Sequence, residues 1–166
     1  IIHLDIDPSE IDKNVKADVG VWGDCKETLP LLTLGIEQKE RIEWVNLFKD
    51  YAQKEYDQCI KDEIYPKTEE MTMGEVIRIV NEVSKGEAIM VTDVGQHQMV
   101  TCRYAQFNQS RSNVTSGGLG TMGFGLPAAI GAKFGALDRT VVAVIGDGGF
   151  QMTLQELGTI MQTGVD

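Results

Sequence analysis

The chain has 166 residues, and its 15 Lys and Arg are outnumbered by 25 Asp and Glu, for a formal charge of −10. That balance offers no basic face for nucleic-acid phosphates or for an anionic membrane surface, and no apolar run is long enough to span a bilayer. The three cysteines, Cys25, Cys59 and Cys102, are widely spaced and odd in number, which is no metal-ligand pattern and fits a reducing compartment.

Ile1 to Ile6 reads as a buried strand that Asp7-Pro8-Ser9 ends, and Pro8 stands where the first turn of a helix would begin. Val19 to Asp24 reads as a second short strand closing in a turn, so the opening has a β-α-β outline. Both termini look cut: Ile1 lies within a strand, and Val165-Asp166 follow a helix-stopping Gly164. The expectation is a segment of a longer enzyme.

From about Glu37 to Lys61 the pattern is helical. Ile42, Val45, Phe48, Ala52, Tyr56 and Cys59 recur at three- and four-residue steps on one face. Tyr65 to Glu70 reads as the linker after it. From Met71 the chain reads as an α/β unit. Thr72 and Glu75 form a capping box, with Met73, Val76, Ile77, Val80 and Val83 as the apolar stripe behind it. Ala88 to Val94 is a buried strand, Pro127 onward a small-residue helix, and Thr140 to Ile145 an apolar strand of the parallel-sheet type. Thr153 to Glu156 reads as a second capping box, whose helix runs to Gly164. The order α-β-α-β-α implies parallel strands with right-handed crossovers.

Three stretches carry chemistry. Gly146-Asp147-Gly148-Gly149 comes after the apolar strand, at the edge where open α/β sheets bind ligands. Glycines around an acid let the backbone approach an anion, and one carboxylate beside phosphate oxygens is a usual protein share of a magnesium site. Ser116 to Pro127 holds a G-x-G-x-x-G string at Gly118, Gly120 and Gly123. No buried strand precedes it and no acid stands beyond it at the expected distance, so the dinucleotide fingerprint fails and a glycine-rich loop entering a helix remains. Asp93 to Gln98 reads as a polar loop emerging on the same sheet edge as Asp147, with Gln96 and His97 supplying donors and acceptors.

Together, Gly95-Gln96-His97-Gln98-Met99, the run from Thr115 to Ala132, and the run from Gly146 to Leu157 resemble the acetolactate synthase (acetohydroxyacid synthase) family of thiamine diphosphate enzymes. His3 to Pro8 and Gly23-Asp24 resemble the end of that family's central domain. Val100 stands where the family often has an aromatic residue, and Asn113 near where it often has a tryptophan. The resemblance implies an α/β thiamine diphosphate-binding fold, here truncated: a parallel sheet with flanking helices, preceded by the tail of a central α/β domain. It divides the chain into residues 1–36 as a remnant of the FAD-binding domain, 37–70 as helical connector and linker, and 71–166 as the first part of the thiamine diphosphate domain.

The resemblance also assigns roles. Asp147 is expected to bind Mg2+, and Gly146, Gly148 and Gly149 to cradle the diphosphate. Gln96 and His97 are expected at the same end of the cofactor, the Gly120 carbonyl at the aminopyrimidine, and Met122 as a wedge beneath the bent molecule. Asp5, Ile6 and Asp24 are expected along a structural FAD. The implied reaction is that of a transferase: pyruvate is decarboxylated and condensed with a second 2-oxo acid, for branched-chain amino acid biosynthesis. A cytoplasmic homodimer or tetramer goes with it, as does the option of a regulatory small subunit. The activating glutamate and a further metal-ligating asparagine are expected outside these residues, so the chain alone is expected to be inactive. Another thiamine diphosphate carboligase or oxo-acid decarboxylase, and a non-catalytic module that holds a phosphate ligand, are the alternatives.

Overall fold

The structure, a computed structural model, describes residues 1–165. It divides into two compact units, Ile1–Lys49 and the remainder from Asp50.

In the first unit, β1 (Ile2–Asp5) and β2 (Val19–Trp22) pair in parallel, with Asp5 opposite Trp22. The expected intervening helix does not form. Asp5 Oδ1 takes the Asp7 N–H at 2.8 Å, and Asp7 Oδ1 takes the Ser9 N–H at 2.9 Å. These carboxylates give the backbone a turn in place of a helical start, and Asp12 continues it at φ 65°. A helix that the sequence pattern did not announce, α1 (Cys25–Leu34), comes after β2, capped by Asp24 Oδ1 on the Lys26 N–H at 2.8 Å. The strand expected to be buried is not: Ile2 is 53% exposed, and no residue in 1–49 is buried. Two four-residue strands and one helix are too little to close a core.

Helix α2 (Ile42–Glu55) passes without a break into a π-helical turn, Tyr56–Ile60, and then α3 (Lys61–Ile64). The stripe on α2 faces solvent among the described residues, with Ile42 61% and Phe48 52% exposed. Residues 65–72 carry no helix or strand before α4 (Met73–Ser84).

The second unit is built on a three-stranded parallel sheet in the order β4-β3-β5. β3 (Ile89–Thr92) is the centre, flanked by β4 (Asn113–Thr115) and β5 (Val141–Val144). β3 is buried along its whole length because both faces are covered. Ala88 and Met90 pack with Ile77 of α4 and, from α5 (Gln96–Tyr104), with Val100 and Tyr104. Ile89 and Val91 point the other way, against Ala128, Ala129 and Ala132 of α6 (Gly125–Gly135). The small side chains of α6 let it lie close on the sheet. The chain ends in α7 (Asp147–Thr153) and α8 (Glu156–Thr163), closed by Gly164 in the left-handed region.

The element order is therefore richer than α-β-α-β-α. β4 and α5 stand where the sequence suggested only loop. The first capping box is half made: Thr72 Oγ1 accepts from the Glu75 N–H at 3.1 Å, while the Glu75 carboxylate lies 3.6 Å from Arg78. The second does not form, because Thr153 ends α7 and gives its hydroxyl hydrogen to the Gly123 carbonyl at 3.2 Å.

One buried polar residue locks α4 to the end of α5. Asn81, 8% exposed, donates from Nδ2 to the Tyr104 carbonyl at 2.8 Å and accepts at Oδ1 from the Gln106 N–H at 3.0 Å. Asn81→Ala leaves a carbonyl and an N–H without partners. It is expected to cost about 2–3 kcal/mol, read as a lower denaturation midpoint with an unchanged slope.

Candidate cofactor site

β3 and β5 run side by side in the same direction, with Thr92 opposite Val144. The segments leaving the two strands therefore emerge at the same edge of the sheet, as the α-β-α-β order requires. β3 leads to Gly95 and then α5, whose first residues are Gln96 and His97. β5 leads to Gly146 and then α7, whose first residues are Asp147, Gly148 and Gly149. Both polar stretches expected to be loops are thus helix starts, where the first backbone N–H groups have no partner within their helix.

The side chains converge as well. A Cβ built on Gly146 would meet the His97 ring at 3.1 Å, so the imidazole of α5 lies against the turn that opens α7. His97 Nε2 is buried without a hydrogen-bond partner among the described residues. Gln96 and Asp147 are exposed. No three His, Cys, Asp or Glu come together as a metal site among the described residues. Asp147 stands as an exposed carboxylate beside the glycines that open α7.

The glycine-rich stretch between β4 and α6 forms the third wall. It begins as a 3-10 turn, Gly117–Leu119. It then bends through Gly120 at φ 56° and Gly123 at φ 82°, values that side chains other than glycine's rarely allow. Met122 is 51% exposed and so is not a core residue. Its terminal methyl reaches toward α7, where a Cβ on Gly148 would meet it at 3.5 Å. Among the described residues, nothing beyond the adjoining ones lies within 4 Å of where Cβ atoms on Gly117, Gly118 and Gly120 would stand. The loop is thus open on the side where a flat or charged molecule could pass.

Asp93 ties these parts together, and nothing in the sequence pattern gave it a role. It is 1% exposed. Oδ2 accepts the Gly125 N–H at 2.7 Å, and Oδ1 accepts those of Gly123 at 3.1 Å and Val94 at 2.9 Å. A Cβ on Gly149 would lie 2.4 Å from Oδ1, so α7 begins directly against the carboxylate. Burial alone pushes the Asp93 pKa up, but the N–H groups of Gly125, Val94 and Gly123, with His97 nearby, outweigh it and hold the carboxyl below its ordinary range. The one hint in the sequence is an acid closing an apolar strand, since a charge buried there requires donors.

Asp5, Ile6 and Asp24 gather in the first unit, at the carboxyl ends of β1 and β2. The Gly23 N–H bonds to the Asp5 carbonyl at 2.9 Å, and the Trp22 indole N–H to the Ile6 carbonyl at 2.9 Å. Asp24 caps α1, and the Ile6 side chain is 66% exposed.

No helix among the described residues is long and apolar enough to cross a membrane. Residues 93–166 match the family model described as the thiamine pyrophosphate enzyme, C-terminal TPP binding domain. Among curated proteins, the acetolactate synthase large subunit of Lactococcus lactis subsp. lactis is 40% identical over 99% of this chain and 28% of its own length. The isozyme 3 large subunit of Escherichia coli is 39% identical over 98% of the chain and 29% of its own length. The chloroplastic acetolactate synthase 1 of Nicotiana tabacum is 42% identical over 96% of the chain and 24% of its own length. The chain spans less than a third of each of these relatives. Residues 93–166 are thus similar to the C-terminal TPP binding domain of thiamine pyrophosphate enzymes, and nearly the whole chain is similar to a part of the acetolactate synthase large subunits.

Proposed function

We propose that this chain is part of an acetolactate synthase large subunit and holds the diphosphate and magnesium end of thiamine diphosphate. The observation that carries the reading is the in-register ending of β3 and β5, which delivers Gln96, His97 and the Gly146–Gly149 turn to one sheet edge within the matched segment. The donor set suits the group: backbone N–H groups of Gly148 and Gly149 for the diphosphate, and one exposed carboxylate, Asp147, for Mg2+. Gly120 and Met122 stand on the open loop beside them, where they would meet the rest of the cofactor.

Bound thiamine diphosphate supplies the carbanion stabilisation that decarboxylation of a 2-oxo acid needs. The residues of this chain orient it and share its metal. On this reading the substrates are pyruvate and a second 2-oxo acid, the products 2-acetolactate or 2-aceto-2-hydroxybutyrate, and the setting branched-chain amino acid biosynthesis in the cytoplasm. The domain division into 1–36, 37–70 and 71–166 belongs to the same proposal. So do a structural FAD along Asp5, Ile6 and Asp24, a homodimer or tetramer, and a regulatory small subunit.

The test is Asp147→Ala in the full-length polypeptide that carries this segment, titrated with thiamine diphosphate by calorimetry with and without magnesium. The magnesium-dependent part of the affinity is expected to disappear. An affinity equal to wild type in both conditions would reduce the Gly146–Gly149 segment to a turn.

A further inference from the structure

The geometry points to Asp93 as a positioning residue: its carboxylate pins the closing leg of the glycine-rich loop against the start of α7, and so sets the loop tip before any ligand arrives. The inference rests on the thiamine diphosphate reading above. Asp93 does not itself reach a ligand, since it is 1% exposed. It acts through the backbone it holds.

The loop has two legs and a tip. The opening leg is tied by Gln98, whose Nε2 donates to Thr115 Oγ1 at 2.7 Å. The closing leg is tied by Asp93, through the N–H groups of Gly123 and Gly125. Between them, among the described residues, the tip's bonds are local, including Gly120 N–H to the Gly117 carbonyl at 3.2 Å, Leu119 N–H to the Ser116 carbonyl at 3.2 Å and Thr121 N–H to Ser116 Oγ at 3.0 Å. Leu119 at the tip is 88% exposed. A segment with few packing contacts takes its position from its anchors. The closing anchor is the stronger, because a buried carboxylate receiving N–H donors forms charge-assisted bonds. It is also the shared one, because the same oxygen that receives Gly123 touches Gly149, the third residue of α7. This carboxylate, together with the Thr153 hydroxyl that α7 donates to the Gly123 carbonyl at 3.2 Å, fixes the distance between Gly120 and Met122 on one side and the Gly146–Gly149 turn on the other.

Asparagine has nearly the same shape but presents an amide NH2 in place of one oxygen. It must face a donor with a donor at Gly125 or at Gly123. The same contact can be disturbed from the loop side. Gly125 begins α6, where alanine is conformationally acceptable, but its Cβ would lie 3.0 Å from the Asp93 Cβ and 3.1 Å from the Asp93 backbone N.

The experiment uses Asp93→Asn and Gly125→Ala in the full-length polypeptide, each studied well below its own melting temperature. Calorimetric titrations compare magnesium thiamine diphosphate with magnesium pyrophosphate, which presents the diphosphate alone. Thiamine diphosphate is expected to weaken by about tenfold or more, and pyrophosphate by no more than about threefold. Hydrogen exchange on the ligand-free protein is expected to speed up at residues 117–125 while 89–92 stay protected. Unchanged thiamine diphosphate affinity in the folded variants, or equal weakening of both ligands, would overturn the proposal. So would exchange that accelerates uniformly across the sheet, since Asp93 would then serve only the core. If the wild-type protein binds neither ligand, the cofactor reading fails by itself, and the exchange pattern still decides whether Asp93 clamps the loop. Should Asp93→Asn not fold, Gly125→Ala decides it with the native carboxylate in place.

Discussion

Gly149→Ala is expected to destabilise the protein by about 3 kcal/mol or more, at or above the upper end of the usual cost of overfilling a packed site. The added methyl would stand 2.4 Å from Asp93 Oδ1 and 2.7 Å from Asp93 Cγ. Neither group can yield cheaply. The carboxylate is held by three backbone N–H bonds, and only Ile145 and Gly146 separate α7 from the end of β5. Relief requires moving one of them, which exposes a buried charge or breaks the turn. Gly148→Ala is the control, because its methyl would meet only the flexible end of Met122, at 3.5 Å. It is expected to change stability by less than about 1 kcal/mol. Denaturant unfolding of the two variants side by side makes the comparison, and equal effects would show that the contact with Asp93 carries no weight.

The 166-residue chain, purified alone and given pyruvate, magnesium, thiamine diphosphate and FAD, is expected to form no acetolactate. The physical reason is exposure. Leu119 and Met122 are 88% and 51% exposed, and Asp147 is open to solvent. Contacts to a diphosphate in that setting are weakened by water, whose dielectric reduces a charge pair at about 4 Å to roughly 1 kcal/mol. A reaction that passes through developing charge requires a site from which water has been expelled. Steady acetolactate production by the chain alone, above a heat-denatured control, would contradict this account of what the site lacks.

The parts of this fold that could be read from sequence are those with strong apolar patterns. β3 and β5 lie in unbroken runs rich in Ile, Val, Met and Ala, and the stretch of alanines after Pro127 announces α6. The elements that escaped notice are held together by tertiary contacts. β4 is only three residues long and exists because Met90 and Thr92 stand beside it as pairing partners. α5 opens on Gln96-His97-Gln98, whose polarity looks like a loop, and it is helical because Val100 and Tyr104 pack on the sheet. α1 was hidden by Pro30 inside it, although Asp24 and Glu27 mark its start. In the candidate cofactor site, the exposed residues stand out in the sequence as glycines and polar residues at strand ends. Asp93 was not, because its role lies in who donates to it, and two of those donors are backbone N–H groups 30 and 32 residues away.

The π-helical turn at Tyr56–Ile60 has a consequence for how this sequence can change over time. Such a turn holds one residue more than an α-helical turn would. Losing a single residue there would restore ordinary winding and leave what lies beyond in nearly the same rotational phase, whereas losing one from an ordinary α-helical turn rotates everything beyond it by about 100°. Glu63 lies just beyond. Its carbonyl receives the Thr72 hydroxyl that begins α4, and its carboxylate receives the Tyr104 hydroxyl at the end of α5. The same carbonyl would lie 2.8 Å from a Cβ on Gly74. A one-codon deletion within the π-helical turn would thus leave these anchors facing both helices, where the same deletion in an ordinary helical turn beside it would turn them away. A descendant of the gene could therefore lose one residue at this turn and keep both contacts, a change that the α-helical turns beside it would not absorb.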